Sequence, residues 1–423
     1  MTPESPSPIE SAQRDAIVEL RRRLHRQPEL SGDEAQTAAL VTRHLRRLDV
    51  RTETGIGGYG VVGILEGGQA GSTIAYRADM DALPMQDSLD TAYASQHLAI
   101  KHACGHDAHT AIALGIAMQL SRIREELPGR VAFVFQPAEE SLDGARAMLD
   151  DGLFELVKPD AMLALHVAPL PVGTVGIAEG PCLAGMEEFR VRFYAPAGNL
   201  EDLVAAASAS LTALSTAAVP EDAASFSRVV AAMMRGDPQL AGTVLVSCWP
   251  EPPGQVPEPR THLLGLLSIT DFARRPQIHS AIDRALGQAV AKFGAAYDLE
   301  YTFSNPPLRN DPALVARVAP ILESRLGREQ VLRFKGPYPF AHEDFTHYAA
   351  EIPALFLWLG TQNLEKGITS ILHTPDYDID ETALAIGVET MSTVIRELLA
   401  GITSPPLQRS PRPPDTAPTA PPA

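Results

Sequence analysis

From about residue 60 onward, short apolar runs alternate with longer stretches of helical period. GVVGILEG and STIAYRADMDALP read as strands, TAIALGIAMQLSRIREE as a helix, and RVAFVFQP and DAMLALHVA as further strands. After residue 300 the alternation resumes with a helix in DPALVARVAPILESRL, a strand in PALFLWLG and a closing helix across ETALAIGVETMSTVIRELL. That order predicts an α/β fold with a mostly parallel sheet. Between Glu187 and Tyr301 the order changes to strand-like EEFRVRFY, an Ala-rich helix, strand-like AGTVLVSCW, a Pro-rich break EPPGQVPEPR, strand-like THLLGLLSI and a helix through IDRALGQAVAKFG. A smaller α+β domain over 187–301, inserted into a larger one made of 14–186 and 302–400, is the expected division. Residues 1–13 and the Pro-rich 401–423 carry no apolar period and are expected to be disordered. The basic RRRLHRQPEL is expected to be the solvated face of a first helix that stops near Pro28.

The chain has 423 residues, 45% hydrophobic and 21% charged, enough for two or three cores. With 35 Lys+Arg against 52 Asp+Glu, the net charge of -17 repels a phosphate backbone, so no nucleic-acid partner is expected. No run approaches the roughly 18 apolar residues of a membrane helix, and MTPESPSPIE lacks the basic start and apolar stretch of a signal peptide. No membrane and a cytoplasmic location are the expectations. Cys104, Cys182 and Cys248 are too few for a disulfide framework, which leaves each free to bind metal.

Candidate chemistry concentrates in His102-Ala103-Cys104-Gly105-His106-Asp107-Ala108-His109, directly before an apolar helix. Cys and His two apart on a loop reach one metal ion or two adjacent ones, although histidines also cap helices and hydrogen-bond within cores. Asp79 and Asp81 end a strand, placed either for Asx turns or to support a metal. Glu139 and Glu140 follow the buried strand RVAFVFQP, and adjacent carboxylates repel unless a cation or water intervenes. His166 interrupts the apolar LALHVAPL, as a core histidine or as a ligand, and His373 follows a loop. Cys104, Glu139, Glu140 and His166 all fall at or just beyond expected strand ends, where open α/β sheets place their sites. Their convergence points to metal.

In order and spacing, HACGHDAH, FQPAEES, LALHVAPLPVGTVG, AHEDFTHY and LHTPDYDID resemble the metal-dependent M20 amidohydrolases, which include hippurate hydrolases, N-acyl-amino-acid amidohydrolases and auxin-conjugate hydrolases. The resemblance implies a metallohydrolase domain with an inserted lid domain, and two divalent metal ions, of Zn, Mn, Ni or Co. Cys104 would be shared, Glu140 and His373 would complete one ion, and His106 and His166 the other. Glu139 would be the general base, and Asp81 would orient a ligand from behind. The reaction implied is hydrolysis of an amide in an N-acyl amino acid or related small amide by a metal-activated water. The implied partners are that small-molecule substrate and a second copy, through the lid domain.

The inserted stretch departs from the family. A Gly-Gly-His segment is missing from EEFRVRFYAPAGNLEDLV, and no His occurs between His166 and His262. The family's Asn is absent from PGQVPEPRT, and Ser268 stands where an Arg that binds a substrate carboxylate is usual. Two alternatives therefore stand beside hydrolysis: acyl transfer or a specialised biosynthetic amidase reaction needing a non-standard substrate or partner, and a non-catalytic metal-binding relative. A thiol hydrolase built on Cys104 would need neither the Glu pair nor His373.

Overall fold

Twelve strands and the helices between them make up a computed structural model that describes residues 9–195, 199–251 and 261–401. It divides into two compact units, one formed by the chain up to Ile177, Asn310–Val331 and His347 onward, the other by Ala178–Arg309 and Leu332–Thr346. Residues 332–346, which the sequence pattern leaves with the larger body, group with the smaller one. Backbone bonds hold them there, from the Lys335 N–H to the Met233 carbonyl and from the Tyr338 N–H to the Cys182 carbonyl, both at 2.9 Å.

The larger sheet contains β1 (Arg51–Ile56), β2 (Gly60–Glu66), β3 (Gln69–Asp79), β4 (Pro128–Gln136), β5 (Ala161–Pro171), β6 (Val175–Ala178), β11 (Val331–Phe334) and β12 (Ala354–Gln362). Their order is β1-β2-β4-β3-β5-β12-β6-β11. The four central strands, β4, β3, β5 and β12, pair in parallel, while β1, β2 and β6 pair antiparallel at the flanks. Mixed α/β is thus the fold, with its parallel part in the middle. Of the central strands, β4, β5 and β12 are buried along nearly their whole length because helices cover the sheet, and they read as largely apolar runs for that reason.

Helices α1 (Ser11–Arg26), α2 (Ala35–Arg47) and α3 (His106–Arg122) are joined at the core by the helix Thr382–Gly401. α3 is buried almost all round, as an apolar helix without a polar face must be. Its Gly115 lets the helices approach: a Cβ there would lie 2.5 Å from Val388 Cγ2 and 3.0 Å from Ile17 Cδ1. The N-terminal boundary lies earlier than the expected disorder to residue 13. Ile9 is buried in the core and α1 begins at Ser11, so residues 9–13 are folded. Residues 1–8 and 402–423 lie outside the described residues.

In the smaller unit, β7 (Gly185–Tyr194), β8 (Val244–Pro250), β9 (Thr261–Ile269) and β10 (Ala296–Asn305) form an antiparallel sheet in the order β10-β7-β9-β8. Phe189, Val191 and Phe193 alternate along β7 and pack with Leu203, Leu211, Ile282 and Leu286 of the helices Leu200–Thr212 and Arg275–Ala291. Glu188, Arg190 and Arg192 point to the opposite face, as a period of two requires.

Candidate metal centre

Every candidate ligand but His166 sits on a segment that follows the carboxyl end of a central strand, the edge where open α/β sheets hold their sites. β3 ends at Asp79 and runs on to Asp81, while β4 ends at Gln136, just short of Glu139 and Glu140. His166 lies within β5 rather than at its end. Pairing of β3 with β5 stops at Arg77↔Ala164, however, so the β3 side of β5 is open at His166. Cys104 precedes α3 on a loop, and His106 is the first residue of that helix. Between them Gly105 takes φ 87°, and a Cβ there would come within 2.2 Å of Val167 Cγ2, so only glycine lets the loop pass.

The side chains converge. His106 Nε2 lies 3.8 Å from Glu139 Oε2, 3.8 Å from Glu140 Oε1 and 3.7 Å from Asp79 Oδ2. His373 Nε2 is 3.6 Å from Glu140 Oε1, and Cys104 Sγ is 3.5 Å from His166 Nε2. Ligand atoms of Cys104, Glu140 and His373 fall within 4.8 Å of one another, as do those of His106, Glu139 and Glu140. Asp79, His106, His109 and His166 form a third such group.

Hydrogen bonds decide which nitrogens are free. His106 Nδ1 donates to Asp81 Oδ1 at 3.1 Å, and His166 Nδ1 donates to the Val167 carbonyl at 2.6 Å, so each ring turns its Nε2 toward the cluster. His109 has no lone pair left. Its Nδ1 donates to Asp79 at 2.5 Å and its Nε2 accepts the Val167 N–H at 2.8 Å, which makes it a bridge between β3 and β5. Asp79 also receives Arg77 at 2.6 Å. Asp81, whose partner the sequence does not name, accepts from His106, from Ser31 Oγ at 2.7 Å and from the Glu140 N–H at 2.9 Å.

Two atoms in this cluster, His106 Nε2 and Glu140 Oε1, are buried without a hydrogen-bond partner. Such atoms are costly unless something binds them. Electrostatics point the same way. Burial pushes the Cys104 thiol well up, and Glu140, Glu139 and Asp79 push it further. Burial opposes a charged His106 ring, yet Asp79, Asp81 and Glu140 outweigh it and raise its pKa to about 10. Burial likewise raises Glu140 to about 7. A dication at this place would reverse the balance for thiol and carboxylate alike. The donor set of thiol, imidazole and carboxylate suits a divalent transition metal.

Behind the centre lies a buried polar network that the sequence reading misplaces. Arg21, expected on a solvated face, is wholly buried and pairs with Asp107 at 2.8 Å, Asp378 at 3.1 Å and Glu381 at 3.4 Å. His25 is equally buried, 2.7 Å from Asp107 and 3.3 Å from Asp87. Of the expected basic face only Arg22, Arg23 and Arg26 remain at least partly open to solvent. The overlooked signal is periodicity: Arg21 and His25 share the inward stripe of Ile17, Leu20 and Leu24.

In the smaller unit, Ser268 is buried. Its Oγ donates to the Pro339 carbonyl at 3.1 Å and accepts from His342 Nε2 at 3.0 Å. Burial lowers His342 to about 4, so this ring is neutral at pH 7. Arg274 of the same unit donates to the Gly242 carbonyl at 2.9 Å. Arg260 and the stretch where the family's Asn is missing lie outside the described residues, as does part of the segment between Tyr194 and Leu200.

Residues 75–397 match the peptidase family M20/M25/M40. The chain belongs to that family. Membership makes it a hydrolase, and its family relatives support metal-dependent amide hydrolysis as the class of reaction. It is 33% identical over 383 residues to an N-acetylcysteine deacetylase of Bacillus subtilis (strain 168), covering 88% of this chain and 93% of that one. It is 31% identical over 404 residues to the IAA-amino acid hydrolase ILR1-like 4 of Arabidopsis thaliana, covering 94% and 88%. Among solved structures it superposes on the YxeP protein of Bacillus subtilis, described as a dinuclear metal binding peptidase from the M20 family, with a TM-score of 0.71 and 28% identity over 92% of this chain and 99% of that chain. Among the described residues no helix is long and apolar enough to cross a membrane.

Proposed function

We propose that this M20 hydrolase holds two divalent metal ions and cleaves the amide bond of an N-acyl amino acid or a related small amide. The observation that carries this reading is the pair of buried, partnerless ligand atoms, His106 Nε2 and Glu140 Oε1, 3.8 Å apart at the centre of the cluster. Cys104 would be shared, with Glu140 and His373 holding one ion and His106 and His166 the other. When bound, the ions lower the pKa of a coordinated water and polarise the substrate carbonyl.

Glu139 is the residue left for proton transfer. Its Oε2 is 3.8 Å from His106 Nε2 and its side chain is nearly buried, so it stands beside the ligands without being needed to complete either set. As a general base it takes a proton from the attacking water and delivers it to the departing amine. Asp81 keeps His106 in the tautomer that presents Nε2. A thiol ligand and three unpaired cysteines suit a reducing cytoplasm.

The test is metal analysis of the purified protein together with a screen of N-acyl amino acids, their amides and their esters. Two ions per chain and amide cleavage abolished by a chelator are expected. No metal after reconstitution, with activity lost to a thiol alkylator alone, would return the thiol mechanism. Sedimentation analysis in the same preparation checks the dimer that the family resemblance implies.

A further inference from the structure

We propose that Lys101 is a positioning residue that fixes His373 for one of the two ions. This inference rests on the dinuclear reading above, in which His373 is a ligand. Lys101 lies outside every ligand set, three residues before Cys104. Its side chain is wholly buried, and its ammonium donates to Asp87 Oδ1 at 2.8 Å and to the Pro375 carbonyl at 2.8 Å. Its own backbone is pinned by a reciprocal pair of 3.0 Å bonds with Leu83.

The loop it grips needs holding. His373 has φ 61°, a left-handed conformation that a non-glycine residue keeps only where its surroundings impose it. Its side chain is 52% exposed, so packing around the ring does not supply that constraint. Backbone bonds supply it instead: His373 N–H to the Ala103 carbonyl at 2.8 Å, and Ser88 N–H to the Pro375 carbonyl at 3.0 Å, the same oxygen that Lys101 holds. The Cys104 segment and the His373 loop are thereby stitched together, with Lys101 as the side-chain stitch. A buried ammonium is costly to desolvate and an apolar side chain would fill the same space without that cost, so a use for the charge is called for.

A purely structural lysine and a positioning lysine differ in what their loss does to the two ions. The full chain is stripped of metal and titrated with Co²⁺ alone by calorimetry, beside His373→Ala. Lys101→Met is expected to weaken one of the two binding events ten- to hundredfold, as His373→Ala does, and to leave the other unchanged. Hydrogen exchange on the metal-free protein should show the His373 amide losing protection. Lys101→Gln, which keeps a neutral donor, should fall between, and it decides by the same measures if the Met variant does not fold. Equal weakening of both ions, or wild-type affinity for both, overturns the proposal. Wild-type protein that binds fewer than two ions, or His373→Ala that keeps both, overturns instead the reading beneath it.

Discussion

One carboxylate, Asp81, holds His106 by Nδ1 at 3.1 Å and with its other oxygen accepts the Glu140 amide at 2.9 Å, so a single side chain sets two neighbouring candidate ligands. Partners of this kind orient imidazole and raise its basicity, and their loss costs 10- to 100-fold in metal affinity. Asp81→Ala should show that loss by chelator competition. Asp81→Asn, which keeps an acceptor, should lose less.

Glu139→Gln should retain both ions and lower turnover by about two to four orders of magnitude, the range for a lost general base. The neutral amide cannot take a proton from water. Near-normal turnover in a metal-replete variant would remove Glu139 from this role.

Acid should unfold the metal-free protein through its buried network. Burial alone would raise Asp87, yet His25 and Lys101 hold it well below the carboxylate range, and Arg21 and His25 do the same for Asp107. A pKa depressed in the folded state means that the unfolded chain binds more protons between the two values. The contribution is therefore complete above the ordinary carboxylate value near about 4 and drains away as pH falls below it. The fall in urea midpoint between about pH 4 and pH 3 should be shallower in Asp87→Asn than in the wild type.

Arg21→Met should cost about 3 to 5 kcal/mol, since it leaves Asp107 buried beside His25 with its main cation gone. Denaturant titration of the full chain measures it. A loss below about 1 kcal/mol, the scale of an exposed pair, would mean that water reaches the site.

Substrate choice should reflect Ser268. Its hydroxyl is engaged by Pro339 and by a neutral His342, so neither Ser268 nor His342 offers a cation for a substrate carboxylate. A charge-assisted contact of about 1.5 to 3 kcal/mol would favour an acid over its amide tenfold or more in kcat/KM. A ratio near unity is expected for a pair sharing one acyl group. A strong preference for the acid would show that another cation serves.

Unbroken apolar runs identified β2, β4, β5 and β12, because a sheet covered on both faces leaves no polar positions to confuse the period. The mixed β1, RTETGI, carries no such run, and its pairing with β2 supplies what its side chains do not. AYDLEYTFSN forms β10 as its period of two dictates, although the boundary expected at Tyr301 cuts through it. Cys104, His106, Glu139, Glu140, His166 and His373 stood out as candidates because those residue types contrast with the apolar runs around them, and their roles were implied by the family resemblance. Sequence alone thus determined the α/β class and singled out candidate metal-binding side chains, since both depend on which side chains occur and at what spacing. Tertiary structure alone decided that His109 is a bridge, that Asp81 serves His106, and that Arg21, His25 and Lys101 are buried: which lone pair is free, and which charge leaves water, depends on groups dozens to hundreds of residues away that only folding brings within hydrogen-bond reach.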